Sequence, residues 1–429
     1  MSSKQRAGSR RSRRFESWSG MAIGIEKINL YGGSLVLDIE KLAVARQRDV
    51  SYFKNELLID KKSQLVDYED VVTMAVNAAK PIISEQDKED IELCIFATES
   101  GLDYCKSNSS YVCRYLGLKN EVRNFEVKNA CYAATCGVQM ALGWIASGVA
   151  PGKKALIVSS DINYDHEGRS GEEVPAVGAV AMIVSDQPKV VEYELGLNGY
   201  YTIECTDYAR PTSTYDIINP QESLYAYLEC FDGAWAHYKS KLDSDVDLNT
   251  HFKRIIYHTP FGGLVKLAHG HILKDMYPGI KKKEILANFE EKVGKSLKIP
   301  KAVGNTYSST VYTCLMGLIL EDDELEPGDR IGIYSYGSGA CAEFYSAKVL
   351  PGAREYLQSL GIDDHLNRRY ELSIDEFDTL SRKRSSHTDQ STFETDLAYP
   401  KGWYDSYYKG QGYLVFKGAK DYLRCYDWS

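Results

Sequence analysis

"ACYAATCGVQMALGWIASGVAPGKKALIVSSD" (Ala130–Asp161) has a counterpart in "NTYSSTVYTCLMGLILEDDELEPGDRIGIYSYG" (Asn305–Gly337). Each copy runs from a small-residue helical segment through a Pro-Gly turn into an apolar strand. Tyr132 and Thr135 match Tyr307 and Thr310 at a shift of 175 residues, and Pro151-Gly152 match Pro327-Gly328 at 176. Further on, "AVGAVAMIVSD" (176–186) corresponds to "GSGACAEFYSAKV" (337–349). Matches in the same order with one inserted residue predict two structurally related halves, 21–190 and 191–429.

The rest of the chain fits that reading. "IELCIFATES" (91–100), "KALIVSSD" (154–161), "RIIYHTP" (254–260) and "RIGIYSYG" (330–337) are β-branched and bounded by turn residues, so they predict strands. "YEDVVTMAVNAAKPII" (68–83) predicts a helix between strands. Alternating strands and helices make an α/β fold. Both repeat helices are apolar on several faces, which predicts burial in an interior shared by the halves. Ala133, Ala134 and Gly137 allow neighbouring backbone to come close.

Of the net charge of −9, residues 1–20 contribute +5 and the remainder about −14. A body that acidic argues against nucleic-acid binding. The basic head has no apolar stretch and reads as a disordered extension, and no apolar run is long enough to span a membrane. Ten cysteines without a C-x-x-C motif suit reduced core residues in a cytoplasmic protein. His269-Gly-His271 is a weak zinc signal, and no metal site is expected.

Cys131 stands at the head of the first repeat helix, where the helix N-terminus would favour a thiolate. Cys136, about 140° further round the helix, should face packing. Glu99 ends one strand and reads either as solvated or as a general base raised by partial burial. His258 ends another, and Asn305 opens the second repeat helix as an N-cap or a ligand group. "SYGSG" (335–339) is either a tight turn or a source of backbone oxyanion donors. Placed on the repeat, all five face one crevice. "YGSGACA" loosely resembles a dinucleotide fingerprint, but a strand-like "EFYSAKV" follows where a helix is required. Ser338 lacks the spacing of a G-x-S-x-G hydrolase.

With Glu99, Cys131, His258, Asn305 and "SYGSG" in that order, joined by "ATES", "ACYAAT", "GAVAMIVSD", "HTPF" and "GNTYSS", the sequence resembles the 3-hydroxy-3-methylglutaryl (HMG) synthases. The likeness runs from about residue 22 to the end. It implies a thiolase-like five-layer αβαβα fold, usually dimeric, with no tightly bound cofactor. It implies that Cys131 carries an acetyl group, that Glu99 removes a methyl proton, and that His258 assists. The backbone N–H groups of Cys131 and Ser338 would form the oxyanion hole, with Asn305, Ser338 and Tyr164 against the substrate. A decarboxylating ketosynthase, the competing condensing chemistry, commonly lacks a glutamate at this place, so Glu99 argues against it.

After "HTPF" stands "GGLVKLAHGH" in place of the lysine-rich run of the mevalonate-pathway enzymes. "YLECFDGAW" (227–235) and "HLNRRYELSIDEF" (365–377) also resemble the branch serving polyketide β-branching, of the curacin-pathway kind. That branch implies phosphopantetheine-tethered substrates on acyl carrier proteins, with free coenzyme A thioesters and an inactive assembly-line scaffold as alternatives. Carrier proteins are acidic, so Arg46, Arg48, Lys266 and Lys274 are candidates for a local basic patch.

Overall fold

The computed structural model describes residues 22–162, 167–169, 171–212, 215–386 and 390–429. The basic extension 1–20 and Tyr164 lie outside them.

Among the described residues, ten strands form the main sheet: β1 (Gly24–Tyr31), β2 (Ile91–Ala97), β3 (Arg123–Val127), β4 (Lys154–Asp161), β5 (Gly178–Ser185), β6 (Val191–Tyr193), β7 (Gly199–Thr202), β8 (Arg254–Tyr257), β9 (Arg330–Gly337) and β10 (Cys341–Val349). Their order is β8-β9-β10-β6-β1-β5-β4-β2-β3, with β7 also paired to β10. The duplication is visible in the pairing. In the first half β2 runs parallel to β4, which is antiparallel to β5, which is antiparallel to β1. In the second, β8 runs parallel to β9, β9 is antiparallel to β10, and β10 is antiparallel to β6 and β7. The partner of β1 is thus broken into two short pieces. Gly24 pairs with Glu192, joining the half-sheets edge to edge.

Strand periodicity of two sorts the side chains into layers. Leu93, Ile95 and Ala97 of β2 face α2 (Ala133–Ala146), whereas Cys94 and Phe96 face α1 (Val71–Ala79). In the second half Ile331 and Ile333 of β9 join the central cluster, and Tyr334 and Tyr336 face α3 (Pro220–Lys239) and α4 (Gly262–Met276). The central cluster also holds α5 (Thr310–Glu321), the repeat partner of α2. The layers are therefore outer helices, half-sheet, α2 with α5, half-sheet, outer helices: αβαβα. A Cβ on Gly137 would lie 3.2 Å from Ile95 Cγ2, so this glycine lets α2 settle onto β2.

The predicted 68–83 helix is shorter. Asp70 caps it through the N–H groups of Val72 and Thr73, and Pro81 turns its end into a 3₁₀ turn at Lys80–Ile82. The Tyr-rich C-terminus packs on the body: Tyr408 Oη donates to buried Glu69 at 2.6 Å, and Leu414 exchanges two hydrogen bonds with Asn77. No described helix is long and apolar enough to cross a membrane.

Candidate active site

β2 and β4 are parallel neighbours, with Ala97 opposite Ser159, so the residues just beyond them emerge on the same side. β2 delivers Glu99 and β4 delivers Asp161. Asp161 is fully buried. Its Oδ1 accepts from the Glu99 N–H and Thr98 Oγ1, both at 2.8 Å, and from Ser100 Oγ at 3.2 Å. Its Oδ2 accepts from Ser308 Oγ at 2.6 Å, in the turn that opens the second repeat helix. One carboxylate therefore fixes the backbone under Glu99 and ties it to the opposite half.

Cys131 Sγ lies 4.0 Å from Glu99 Oε2. Ala130, just before it, has φ +43°, and Tyr307 across the crevice has φ +55°. Each left-handed non-glycine residue costs about 1–2 kcal/mol, and such strain gathers where side chains must be aimed. The "SYGSG" turn meets the same loop. A Cβ on Gly337 would fall 2.5 Å from the Asn129 carbonyl and 2.6 Å from the Tyr132 nitrogen. Glycine is what allows this turn to close against the loop that carries Cys131.

The expected thiolate is corrected. The helix starts at Ala133 with Tyr132 as its N-cap, leaving Cys131 outside the first turn. The Tyr132 and Ala133 N–H groups donate to the Asn129 and Ala130 carbonyls, so these ends of the helix serve the chain itself. Cys131 keeps part of its surface open. Burial of the sulfur, then Glu99, Asp161 and Asp207, push the thiol well above its ordinary range against the pull of Arg210. It rests as a neutral thiol.

Burial raises the Glu99 carboxyl to about 7, with Arg210 opposing and Asp161 adding to the rise. A base poised there is half ionised near neutrality. His258, 1% exposed, follows β8; its N–H donates to the Tyr334 carbonyl at 2.7 Å and its carbonyl accepts from Tyr227 Oη at 2.8 Å. Burial lowers the imidazole to about 3, so it is neutral, and its Nδ1 is buried without a hydrogen-bond partner. Asn305 Oδ1 accepts from the Tyr307 N–H at 2.9 Å and from Thr310 Oγ1 at 3.1 Å. Asn305 therefore stands one residue before the N-cap Thr306, and its oxygen is taken up by the turn that leads into the second repeat helix.

Three of the four basic-patch candidates lie by carboxylates of this chain. Arg46 Nη2 donates to Glu172 at 2.8 Å and to Asp378 at 2.5 Å. Arg48 donates to Glu173 at 2.9 Å and to the Gly168 and Arg169 carbonyls. Both guanidiniums are bonded to this chain's own acceptors. Lys266 Nζ is 4.0 Å from Glu56, and Lys274 is exposed in the last turn of α4. Half-buried Cys136 lies with Cys341 and Glu343. His269 is bonded to Tyr257 and Asn288, and no described cluster of three or more ligating side chains could hold a metal.

Asp161, Asp207 and Arg210 escaped the sequence reading. Asp161 had a signal, since it ends a strand parallel to the one that delivers Glu99. Asp207 and Arg210 lie in an irregular connection outside the repeat.

A duplicated αβαβα unit with a thiol and a raised carboxyl in its shared crevice defines a thiolase-like condensing enzyme. Comparison with known proteins narrows the class. The models for hydroxymethylglutaryl-coenzyme A synthase N terminal and C terminal match residues 20–189 and 280–427. The chain is 39% identical to the polyketide biosynthesis 3-hydroxy-3-methylglutaryl-ACP synthase PksG of Bacillus subtilis (strain 168), over 84% of this chain and 88% of that protein. It is 32% identical to the hydroxymethylglutaryl-CoA synthase of Enterococcus faecalis, over 88% and 96%. The curacin biosynthetic pathway HMG synthase superposes with a TM-score of 0.90 at 39% identity, covering 95% of this chain and 100% of that one. That enzyme is also known in complex with holo, apo and acetyl donor-ACP. The chain belongs to the HMG synthase family and is a C–C bond-forming acyltransferase.

Proposed function

We propose that the protein loads acetyl from a carrier-tethered thioester onto Cys131 and adds it to the β-ketone of a second carrier-bound chain, as in polyketide β-branching. The observation that carries the reading is the 4.0 Å separation of Cys131 Sγ from Glu99 Oε2, with that carboxyl raised to about 7. Cys131 exchanges its proton for the acetyl group and the carrier thiol leaves. Glu99 takes a proton from the acetyl methyl. The enolate carbon bonds to the ketone carbon, whose oxygen gains a proton. Water then cleaves the Cys131 thioester, restoring the thiol and leaving a carboxylate on a 3-hydroxy-3-methylglutaryl-type product. A thioester methyl is a weak carbon acid, so the enolate oxygen needs donors. The backbone N–H groups of Cys131 and Ser338 take that role, and neutral His258 with the Asn305 amide orients the ketone.

Carrier-bound substrates are favoured by the likeness to PksG and to an enzyme seen with donor-ACP. The reading takes the chain as a cytoplasmic homodimer with halves 21–190 and 191–429. Likeness to the coenzyme A synthases supports free thioesters as the second reading.

Incubation with acetyl-carrier protein or acetyl-coenzyme A, followed by intact mass, tests both. One acetyl group on the wild type, absent in Cys131→Ala, is expected from the carrier. Faster loading from coenzyme A selects the second reading, and no adduct from either overturns both.

A further inference from the structure

Arg210 belongs to no motif, yet it reaches the centre of the site. A two-strand ribbon, Tyr208–Ala209 with Ile217–Ile218, carries it there. Buried Asp207 fixes one end, accepting from the Gly339 N–H at 2.8 Å and Tyr336 Oη at 2.7 Å. Asp216 accepts from Arg169 Nη1 at 2.6 Å near the other.

The Arg210 guanidinium donates to Tyr208 Oη at 2.7 Å and to Ser100 Oγ at 3.4 Å, and lies 5.8 Å from the centre of the Tyr307 ring. Its Nη2 is 3.2 Å from Glu99 Oε1, within ion-pair range but off the line of a hydrogen bond, since Oε1 is buried without an aligned donor. Arg210 and Glu99 side chains are 14% and 7% exposed, so solvent screens the pair weakly.

The groups facing Glu99 come from five segments. They are Tyr208 on the ribbon's first strand with Arg210 just after it, Asp216 before its return strand, Asp161 at the end of β4, Cys131, and Tyr307 in the turn before α5. The carboxylates among them oppose a charge on Glu99; the guanidinium supports it most, and the Tyr208 hydroxyl supports it too.

We infer that Arg210 is the positioning residue for the base: its guanidinium holds the Glu99 carboxylate charged and keeps Oε1 turned away, so that Oε2 faces the sulfur that carries the acetyl group. The inference rests on Glu99 acting as the base. An opposite charge this close moves a carboxyl by about 1–3 pH units.

The test uses the full chain as wild type, Arg210→Gln, Arg210→Met and Arg210→Lys. Loading of Cys131 is followed by intact mass. Condensation is then measured in single turnovers of pre-acetylated enzyme with acetoacetyl-carrier protein, from about pH 6 to about pH 9. Each neutral variant should load, and its acid limb should move up by about 1–3 units, lowering the rate at pH 7 about fivefold or more with recovery at high pH. Arg210→Lys should keep the limb near that of wild type. A neutral variant slowed equally at every pH, or unshifted, overturns the inference. So does failure of both neutral variants to fold, which would make Arg210 structural. Absence of loading in the wild type instead defeats the proposed function.

Discussion

Asp161 and Ser308 face each other across the seam between the halves, with Ser308 Oγ donating to Asp161 Oδ2 at 2.6 Å. The other oxygen holds the backbone of Glu99. Asp161→Asn places an amide donor against some of these donors. The loss of charge-assisted bonds should cost about 2–4 kcal/mol, read as a lower midpoint in urea unfolding. Condensation should fall more steeply than loading, because the base moves while the thiol remains. Equal losses in both steps would show that the clamp does not act through Glu99.

Cys131 rests protonated, so its alkylation should resemble that of a buried thiol. Its reaction with iodoacetamide, followed by peptide mass, should keep rising through the alkaline range without a plateau near neutrality. Burial and the neighbouring carboxylates cause this. In Glu99→Gln one of those charges is gone, and the rate at a given pH should increase. A plateau below pH 7 would contradict the site electrostatics.

Glu99 also sets a stability trade. Its carboxyl titrates near 4.5 when unperturbed and near 7 in the fold, so ionisation favours the unfolded chain. The penalty is absent below about pH 4.5 and complete above about pH 7. Glu99→Gln should therefore be more stable than wild type near pH 8, by up to about 3 kcal/mol, with the gain vanishing near pH 4.5. The same variant should load acetyl and fail to condense. Thermal melts at the two pH values check the first claim, and single turnovers the second.

Gly337→Ala drives a methyl group against the Asn129 carbonyl and the Tyr132 nitrogen. The loop bearing Cys131 must move, and a shift of about 1 Å at a reacting group costs about a hundredfold. Loading should drop by that order with far-UV circular dichroism unchanged. Loading at the wild-type rate would mean the turn does not set the position of Cys131.

The fold was legible because it is repeated. A helix, a Pro-Gly turn and an apolar strand occur twice, and the structure gives β4 and β9, like α2 and α5, equivalent places in the two halves. Glu99, Cys131, His258 and Asn305 drew notice in the sequence because each stands at or next to the end of a regular element. Arg210 was not, because an irregular ribbon carries it, and the spacing of such a segment encodes no direction. The state of the thiol was misjudged for a related reason. A helix terminus can be read in one dimension, whereas the Asp161 and Asp207 charges around the sulfur arrive from distant parts of the chain. Arg46 and Arg48 show the same limit, since their carboxylate partners lie more than a hundred residues away.

The carboxylate of Asp161 serves the base with one oxygen and the far half with the other. Any wedge that loosens the join between the duplicated units, whether a bulky seam substitution or a tethered fragment, would be felt at the proton-abstracting group long before the protein melts. Reactivity thus becomes a sensitive gauge of how well the two copies fit together.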